Sequence, residues 1–416
     1  MAWRGRSSLS IRDRGGSHLN DRWKSILPII ASIACGWIGW SGEVLLLPFA
    51  VVFPLLWAMA PSRTIAALVA AGYFLVASRG LPQGVANFYA TDLWPGLALW
   101  VTASASFVMV HAVFWKPHGG DASGRKGTDA ARAVRYLMVM VLMALPPFGI
   151  TGWAHPLAAA GVLFPGWGWW GLLAMATGLT VMTTRFWPAA AIILGGLWLW
   201  SAASWTGPRL PDAWMGVDLE QAHNLGRDGS LTYHRDLIAT MRRRIAAHPD
   251  THVVVLPESA LGFWTPTVAR VWQEGLRGSD ITVIAGAAVI DPRGYDNVMV
   301  AISADAAKVL YHERMPVPGS MWQPWLQWTG RGGGAQADFF GNPAVEVDGF
   351  KVGPLICYEQ LIVWPVLQSM LHAPEVIVAV GNGWWTENTS IVAIQKASSV
   401  AWARLFGLPV VMAFNT

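Results

Sequence analysis

Seven apolar runs, almost free of charge, fill the stretch from residue 25 to 205: about 25–41, 43–60, 64–79, 93–115, 133–153, 168–184 and 187–205. A helix needs roughly 20 apolar residues to cross a hydrocarbon layer about 30 Å thick. Seven such runs in succession read as a polytopic α-helical membrane domain rather than the buried core of a water-soluble enzyme. Pro28, Pro48, Pro54 and Pro95 interrupt or open several runs. Membrane helices tolerate proline where neighbours satisfy the freed backbone groups. Composition agrees: 54% of the 416 residues are hydrophobic and only 13% are charged. That is about half the usual charged share, and it excludes a disordered or fibrous chain.

Charge divides the chain again. Residues 1–205 hold 14 Lys+Arg against 6 Asp+Glu, and residues 206–416 hold 15 against 19. A single basic surface for nucleic acid would not split this way, so no direct nucleic-acid binding is expected. The cations of the first half alternate with the runs. Arg4, Arg6, Arg12, Arg14, Arg22 and Lys24 precede the first run. Arg63, then Lys116, Arg125, Lys126, Arg132 and Arg135, then Arg185 follow the second, fourth and sixth. The intervening loops carry only Arg79. Under the positive-inside rule the basic side is cytoplasmic, and seven crossings place residues 206–416 on the far side. For a Gram-negative cell that is the periplasm. The expected layout is a basic cytoplasmic tail over 1–24, a membrane domain over 25–205 and an external domain over 206–416.

Two segments on the far side, 80–92 and 154–167, are uncharged or nearly so. They read either as re-entrant or interfacial pieces or as simple loops. Ser32-Ile33-Ala34-Cys35 resembles a lipoprotein cleavage box, but the apolar pattern continues past it. An uncleaved first helix and a structural Cys35 are expected.

Beyond Trp205, Pro208 and Pro211 mark a linker, and the texture changes. Strands are expected at 212–219, 252–256, 281–285, 298–302, 309–311, 352–357, 376–380 and 408–414. Helices are expected over 233–247, before 281, and over about 390–406. Strands alternating with helices argue a layered α/β fold. Arg242, Arg243 and Arg244 fall on the exposed side of their helix, as a solvated face. Arg331-Gly-Gly-Gly334 matches no phosphate-binding pattern and reads as a loop.

Two residues stand where chemistry is placed in such folds. Glu258 follows an apolar strand in Leu-Pro-Glu-Ser, and Cys357 ends another in Pro-Leu-Ile-Cys-Tyr-Glu. Ligands bind at the carboxyl ends of α/β strands. A thiol becomes a good nucleophile when a base stands beside it, and Glu258 can be that base. Glu359 lies two residues past the cysteine. The alternative is a buried structural cysteine. With only Cys35 and Cys357 in the chain, a disulfide framework and a cysteine-rich zinc module are excluded, and no cofactor or metal is expected.

Leu256-Pro-Glu-Ser259, Tyr311-His-Glu-Arg-Met-Pro-Val-Pro318 and Leu355-Ile-Cys-Tyr-Glu359 resemble the three signature segments of the nitrilase superfamily. Asn382-Gly-Trp-Trp385 and the closing Phe414-Asn-Thr416 match as well. A nitrilase domain behind a multi-helix membrane region resembles apolipoprotein N-acyltransferase, and the Met-Pro-Val-Pro variant is similar to its plasmid-borne conjugal-transfer branch, the TraB group. The resemblance covers most of the chain and implies an α-β-β-α sandwich in the C-terminal half. It implies that Cys357 attacks a phospholipid acyl ester to form a thioester. Glu258 would be the general base, Glu359 a supporting carboxylate, and the backbone N–H of Tyr358 an oxyanion donor. The acyl chain would then pass to an amine, in the family that of a lipoprotein.

The sequence also departs from the family. Where the family has lysine two residues after the tyrosine of the middle motif, this chain has Glu313. If Glu313 points inward, the Cys357 pKa should rise. Arg314 is the nearest substitute cation, but adjacent strand residues face opposite sides. The family's Phe-Gly-Glu is replaced by Gly319-Ser-Met-Trp-Gln-Pro324, and the motif Asn-Thr closes the chain, so a shortened sheet is expected. Two functions follow: a bacterial inner-membrane thiol acyltransferase or hydrolase, and a catalytically altered nitrilase-like membrane protein assisting conjugative transfer. A transporter is third, since no intramembrane charge marks an ion path.

Overall fold

The computed structural model describes residues 14–117, 129–151, 153–220, 230–330 and 332–416. Arg4, Arg6, Arg12, Arg125, Lys126 and Arg331, and the side chains of Arg14, Arg22 and Lys24, lie outside the described residues. Each of the seven apolar runs folds wholly or partly as helix. They form α1 (Arg14–Gly39), a 3-10 segment Val44–Val52 leading into α2 (Phe53–Met59), α3 (Arg63–Ala77), α5 (Leu93–Phe114), α6 (Asp129–Ala144), α8 (Gly168–Val181) and α9 (Trp187–Ala203). The uncharged segments between them are also helical, as α4 (Leu81–Tyr89) and α7 (Ala160–Leu163).

Length separates these helices. Among the described residues only α5 is both long and apolar enough to cross a membrane alone. α3 and α4 pass the same test together, as a pair bent by 47°. The 14 residues of α8 span about 21 Å. Their outward faces are nevertheless apolar: Trp94, Val101 and Val113 on α5, Trp170 on α8, and Ile192, Leu199 and Trp200 on α9 are all exposed.

The remaining elements are β1 (Trp214–Gly216), α10 (Leu231–Ala246), β2 (Val253–Val255), α11 (Pro266–Leu276), β3 (Thr282–Asp291), β4 (Gly294–Ile302), β5 (Ala307–His312), α12 (Pro324–Trp328), β6 (Val345–Val347), β7 (Phe350–Ile356), α13 (Val363–Met370), β8 (Val376–Asn382), α14 (Ile391–Phe406) and β9 (Val410–Asn415). β1 to β5 form one sheet in chain order, and β6 to β9 form a second. β1, β2 and β3 are parallel and β3, β4 and β5 antiparallel. In the second sheet β6 and β7 are antiparallel, and β7, β8 and β9 parallel.

Strand alternation sorts the residues into layers. Val254, Val283, Val298, Val300 and Ile302 pack outward on Leu237, Ile238 and Trp272 of α10 and α11. Val253, Val255, Ile284, Met299 and Tyr311 face the other way, onto Val352, Val378, Val380 and Val411 of the second sheet. Leu355, Ile377 and Ala379 face away from that interface and join α13, α14 and the helical half in a single core. The result is the expected α-β-β-α sandwich, with its α14 side fused to the helical half. α7 touches α14 so closely that a side chain at Gly161 would collide with Ala401. Arg242, Arg243 and Arg244 are exposed on α10, as a solvated face should be.

Candidate active site

The β2 strand delivers Glu258. Leu256 N–H donates to Ile284 O at 2.8 Å and Gly286 N–H to Pro257 O at 3.1 Å, so the strand end stays tied to β3 as it turns. A side chain at Gly286 would strike the Glu258 backbone, which explains glycine there. Cys357 sits one residue past β7, at the start of the 3-10 turn Cys357–Gln360, with φ at +46°. That left-handed conformation costs a non-glycine residue on the order of 1–3 kcal/mol and is characteristic of a strand-to-helix nucleophile turn. The turn directs the thiol back toward Glu258, and both residues line one cavity of about 320 Å³.

That cavity joins the two halves of the molecule. Its polar wall is Glu258, Asn297, Cys357 and Asn382, and its apolar wall includes Leu81, Val85, Phe88 and Tyr89 of α4 and Leu99 of α5. α4 is fastened over the sheets: Asn87 Nδ2 donates to Trp385 O at 3.0 Å and Glu387 O at 3.2 Å. Phe88 stacks on Trp384 with 5.7 Å between ring centres. A second cavity of about 240 Å³ shares Leu81, Leu99 and Val317 with the first and reaches Tyr358. Tyr358 itself points into the helical half, where its hydroxyl donates to Ile150 O at 3.2 Å.

The buried carboxylates fall into two groups. Glu359 is saturated with donors: Tyr311 OH at 2.6 Å and Arg314 N–H at 2.8 Å on Oε1, and Ile356 N–H at 2.8 Å on Oε2. Arg314 Nε lies 3.5 Å from Glu359 Oε1 and donates to Tyr311 OH at 2.7 Å. Its other nitrogens donate to Pro365 O, Gln368 Oε1, Pro354 O and Ser369 Oγ. Arg314 therefore braces β7 against α13 and does not enter the cavity. It cannot fill the lysine position.

Glu313 does turn toward the catalytic side. Asn297 Nδ2 donates to Glu258 Oε1 and to Glu313 Oε2, at 2.8 Å each. Burial raises the Glu313 pKa well above the carboxylate range, and the charges of Glu258 and Glu359 raise it further. Burial pushes Glu258 up to about 7, against the opposing influence of Asn297, the Cys357 thiol and the Asn382 backbone. Burial likewise lifts the Cys357 thiol well above its ordinary value, and Glu258 and Glu313 add to the shift. The expected consequence of an inward Glu313 is met. Gln395 Nε2 of α14 contacts Cys357 Sγ at 3.6 Å and favours its ionised form.

Asn297 and Gln395 escaped the motif reading. Asn297 had a visible signal: it shares the inter-sheet face with Met299 and Ala301, where an apolar residue is the rule. Its β4 strand also carries an irregularity at Met299/Val300 that leaves Leu310 of β5 unpaired, a device that re-aims side chains near sites. Gln395 had none, since a polar residue in a helix of mixed faces is ordinary. Among the described residues no cluster of three His, Cys, Asp or Glu could hold a metal.

The family model for carbon-nitrogen hydrolases matches residues 75–404. The conjugal transfer protein TraB of Agrobacterium fabrum is 67% identical over 416 residues, covering 100% of this chain and 96% of the relative. A probable conjugal transfer protein TraB of Sinorhizobium fredii is 60% identical over 399 residues, 96% of this chain and 99% of the relative. Among solved structures, a carbon-nitrogen hydrolase from Helicobacter pylori superposes with a TM-score of 0.35 at 15% identity, over 48% of this chain and 72% of its own. An amidase from Nesterenkonia sp. does so at 0.35 and 14%, over 50% and 77%.

Proposed function

The chain belongs to the carbon-nitrogen hydrolase family, the nitrilase superfamily, and from that premise we propose that it is a thiol acyltransferase seated in the bacterial inner membrane. Cys357 Sγ attacks the acyl ester of a phospholipid while Glu258 takes the thiol proton. The backbone N–H of Tyr358, at the start of a short turn where such groups lack an internal partner, is the oxyanion donor. The ester oxygen leaves with the proton from Glu258, and a thioester remains. An amine acceptor, such as that of a lipoprotein, then attacks the thioester while Glu258 takes its proton; the carbon–sulfur bond breaks and Glu258 hands that proton to the departing Cys357 Sγ, restoring the thiol. Glu359 supports the turn that carries the thiol. The helical half lies in the membrane, its basic loops in the cytoplasm and the sandwich in the periplasm.

One observation carries this reading: the Cys357–Glu258 pair opens onto an apolar chamber walled by α4 and α5. A small polar amide would have no use for that wall, whereas an acyl chain gains about 0.8 kcal/mol per buried methylene. Membranes containing the protein, incubated with a phospholipid labelled in its acyl chain, should yield a hydroxylamine-sensitive adduct. No adduct on the wild type, or one that persists in Cys357→Ala, rejects the thioester route.

Glu313 in the lysine position favours a second reading, together with the names of the relatives. In it the protein assists conjugative plasmid transfer and its ancestral chemistry is altered. Plasmid transfer that requires the protein yet proceeds normally with Cys357→Ala would select this reading over the first.

A further inference from the structure

Glu258 and Glu313 reach the same Asn297 amide from different strands. An amide NH2 carries two hydrogens, so each carboxylate receives one. Glu313 Oε1 is buried with no hydrogen-bond partner, while Glu258 also has the Cys357 thiol and the Asn382 N–H beside it. The groups around the pair are Cys357 and Glu359 from the β7 turn, Tyr311 and Arg314 from β5, and Gln395 from α14. The one cation, Arg314, commits its donors to Glu359, Tyr311 and the β7–α13 seam. His312 is turned outward to Asp296, 3.3 Å away. Two ionised carboxylates here would repel each other without a counter-ion, and Glu313 would bury an oxygen with no donor.

We propose that Glu258 and Glu313 hold one proton between them across Asn297, with Glu313 its resting holder, and that Glu313 is thereby the positioning residue that keeps Glu258 ionised to receive the Cys357 proton. This rests on Cys357 and Glu258 being nucleophile and base. The proton count closes. As Cys357 Sγ bonds to the acyl carbon, its S–H proton moves to Glu258 Oε2 and the carbonyl pair moves onto oxygen. Both carboxyls are then neutral, so negative charge has left the pair and settled on the oxyanion. When the carbon–oxygen bond breaks, Glu258 returns that proton to the leaving alcohol, and the one-proton pair is restored. A lysine in this position would keep Glu258 ionised by its charge, and a neutral Glu313 does so by already holding the available proton. Glu258 lines the cavity beside Cys357 whereas Glu313 does not and is the more enclosed of the two, so its charged form is the costlier to bury and the proton rests there.

Infrared spectra of the full chain in detergent at neutral pH test the assignment. The wild type should show the carbonyl stretch of a protonated buried carboxyl, and Glu313→Gln should lose it. A wild type without the band, or a band undiminished in Glu313→Gln, overturns the proposal. The second variant is Glu313→Lys, read by the pH dependence of Cys357 alkylation. A cation there should move the acid limb down by about one pH unit or more. An unmoved limb shows that position 313 does not govern Glu258 and also overturns it. Neither readout uses a lipid, so failure of the acyl-transfer assay leaves both interpretable. An acyl adduct without the infrared band would retain the enzyme and discard the shared proton.

Discussion

Two carboxylate networks lie on either side of the β5 exit, built from adjacent residues, and they solve opposite problems. Glu359 is ringed by donors from Tyr311, Arg314 and Ile356, with a guanidinium beside it. Glu258 and Glu313 divide a single amide and have no cation. The first network is a brace: every polar atom is matched, and Arg314 ties β7 to α13. The second is left short of donors in a cavity, which is what a site needs if protons are to move there. The difference teaches that a buried carboxylate near a nucleophile is not catalytic by proximity alone. Its donor count decides whether it holds a shape or exchanges a proton.

The largest expected effect breaks the brace. Arg314→Met leaves Glu359 buried without its counter-ion and strips donors from Pro354, Pro365 and Ser369. Losing one partner of a buried pair costs about 3–5 kcal/mol. The thermal melt of the full chain in detergent should fall markedly, and an unchanged melt would contradict the brace. A smaller effect, of opposite sign, comes from the other network. Glu258 has its pKa raised by burial to about 7. The folded state therefore binds a proton that the unfolded state has released, and stability declines as pH rises from the ordinary carboxylate value to about 7. Glu258→Gln removes that penalty. The variant should be more stable than wild type above about pH 8, by roughly 3 kcal/mol, and the advantage should vanish below about pH 4. A constant difference across this range would mean that Glu258 is not displaced.

The smallest effect sharpens the comparison. Asn297→Leu takes from Glu258 and Glu313 the one donor that holds both pKa values down. The acid limb of Cys357 alkylation should move upward by about one pH unit. The same substitution should leave the Arg314 brace, and hence most of the thermal stability, in place. A collapse in stability comparable to Arg314→Met would erase the distinction between the two networks.

Much of this arrangement could be read along the chain. The long apolar runs marked the helices of the first half, and short apolar runs marked most strands of the second. Glu258 and Cys357 were identifiable because each follows an uninterrupted apolar strand. The different directions of Glu313 and Arg314 were not legible from strand parity, because β5 ends at His312 and both residues lie beyond it. β6 was not legible, because Glu346 interrupts its short apolar run. α4 read as an uncharged stretch that is either loop or interfacial, and its service as the roof of the cavity depends on Asn87 and Phe88 finding the loop after β8.

By itself the sequence determined the division into an apolar helical half and an α/β half, the strand ends that carry Glu258 and Cys357, and the negative residue in the lysine position. Those are properties of local order: residue type, spacing and face. Only the tertiary structure decided which buried carboxylate is braced and which is not, that Arg314 turns to α13, and that Asn297 and Gln395 stand beside Glu258 and Cys357. Hydrogen bonds and burial are set by which neighbours converge in space, and residues 258, 297, 313, 357 and 395 converge only when two sheets close on each other.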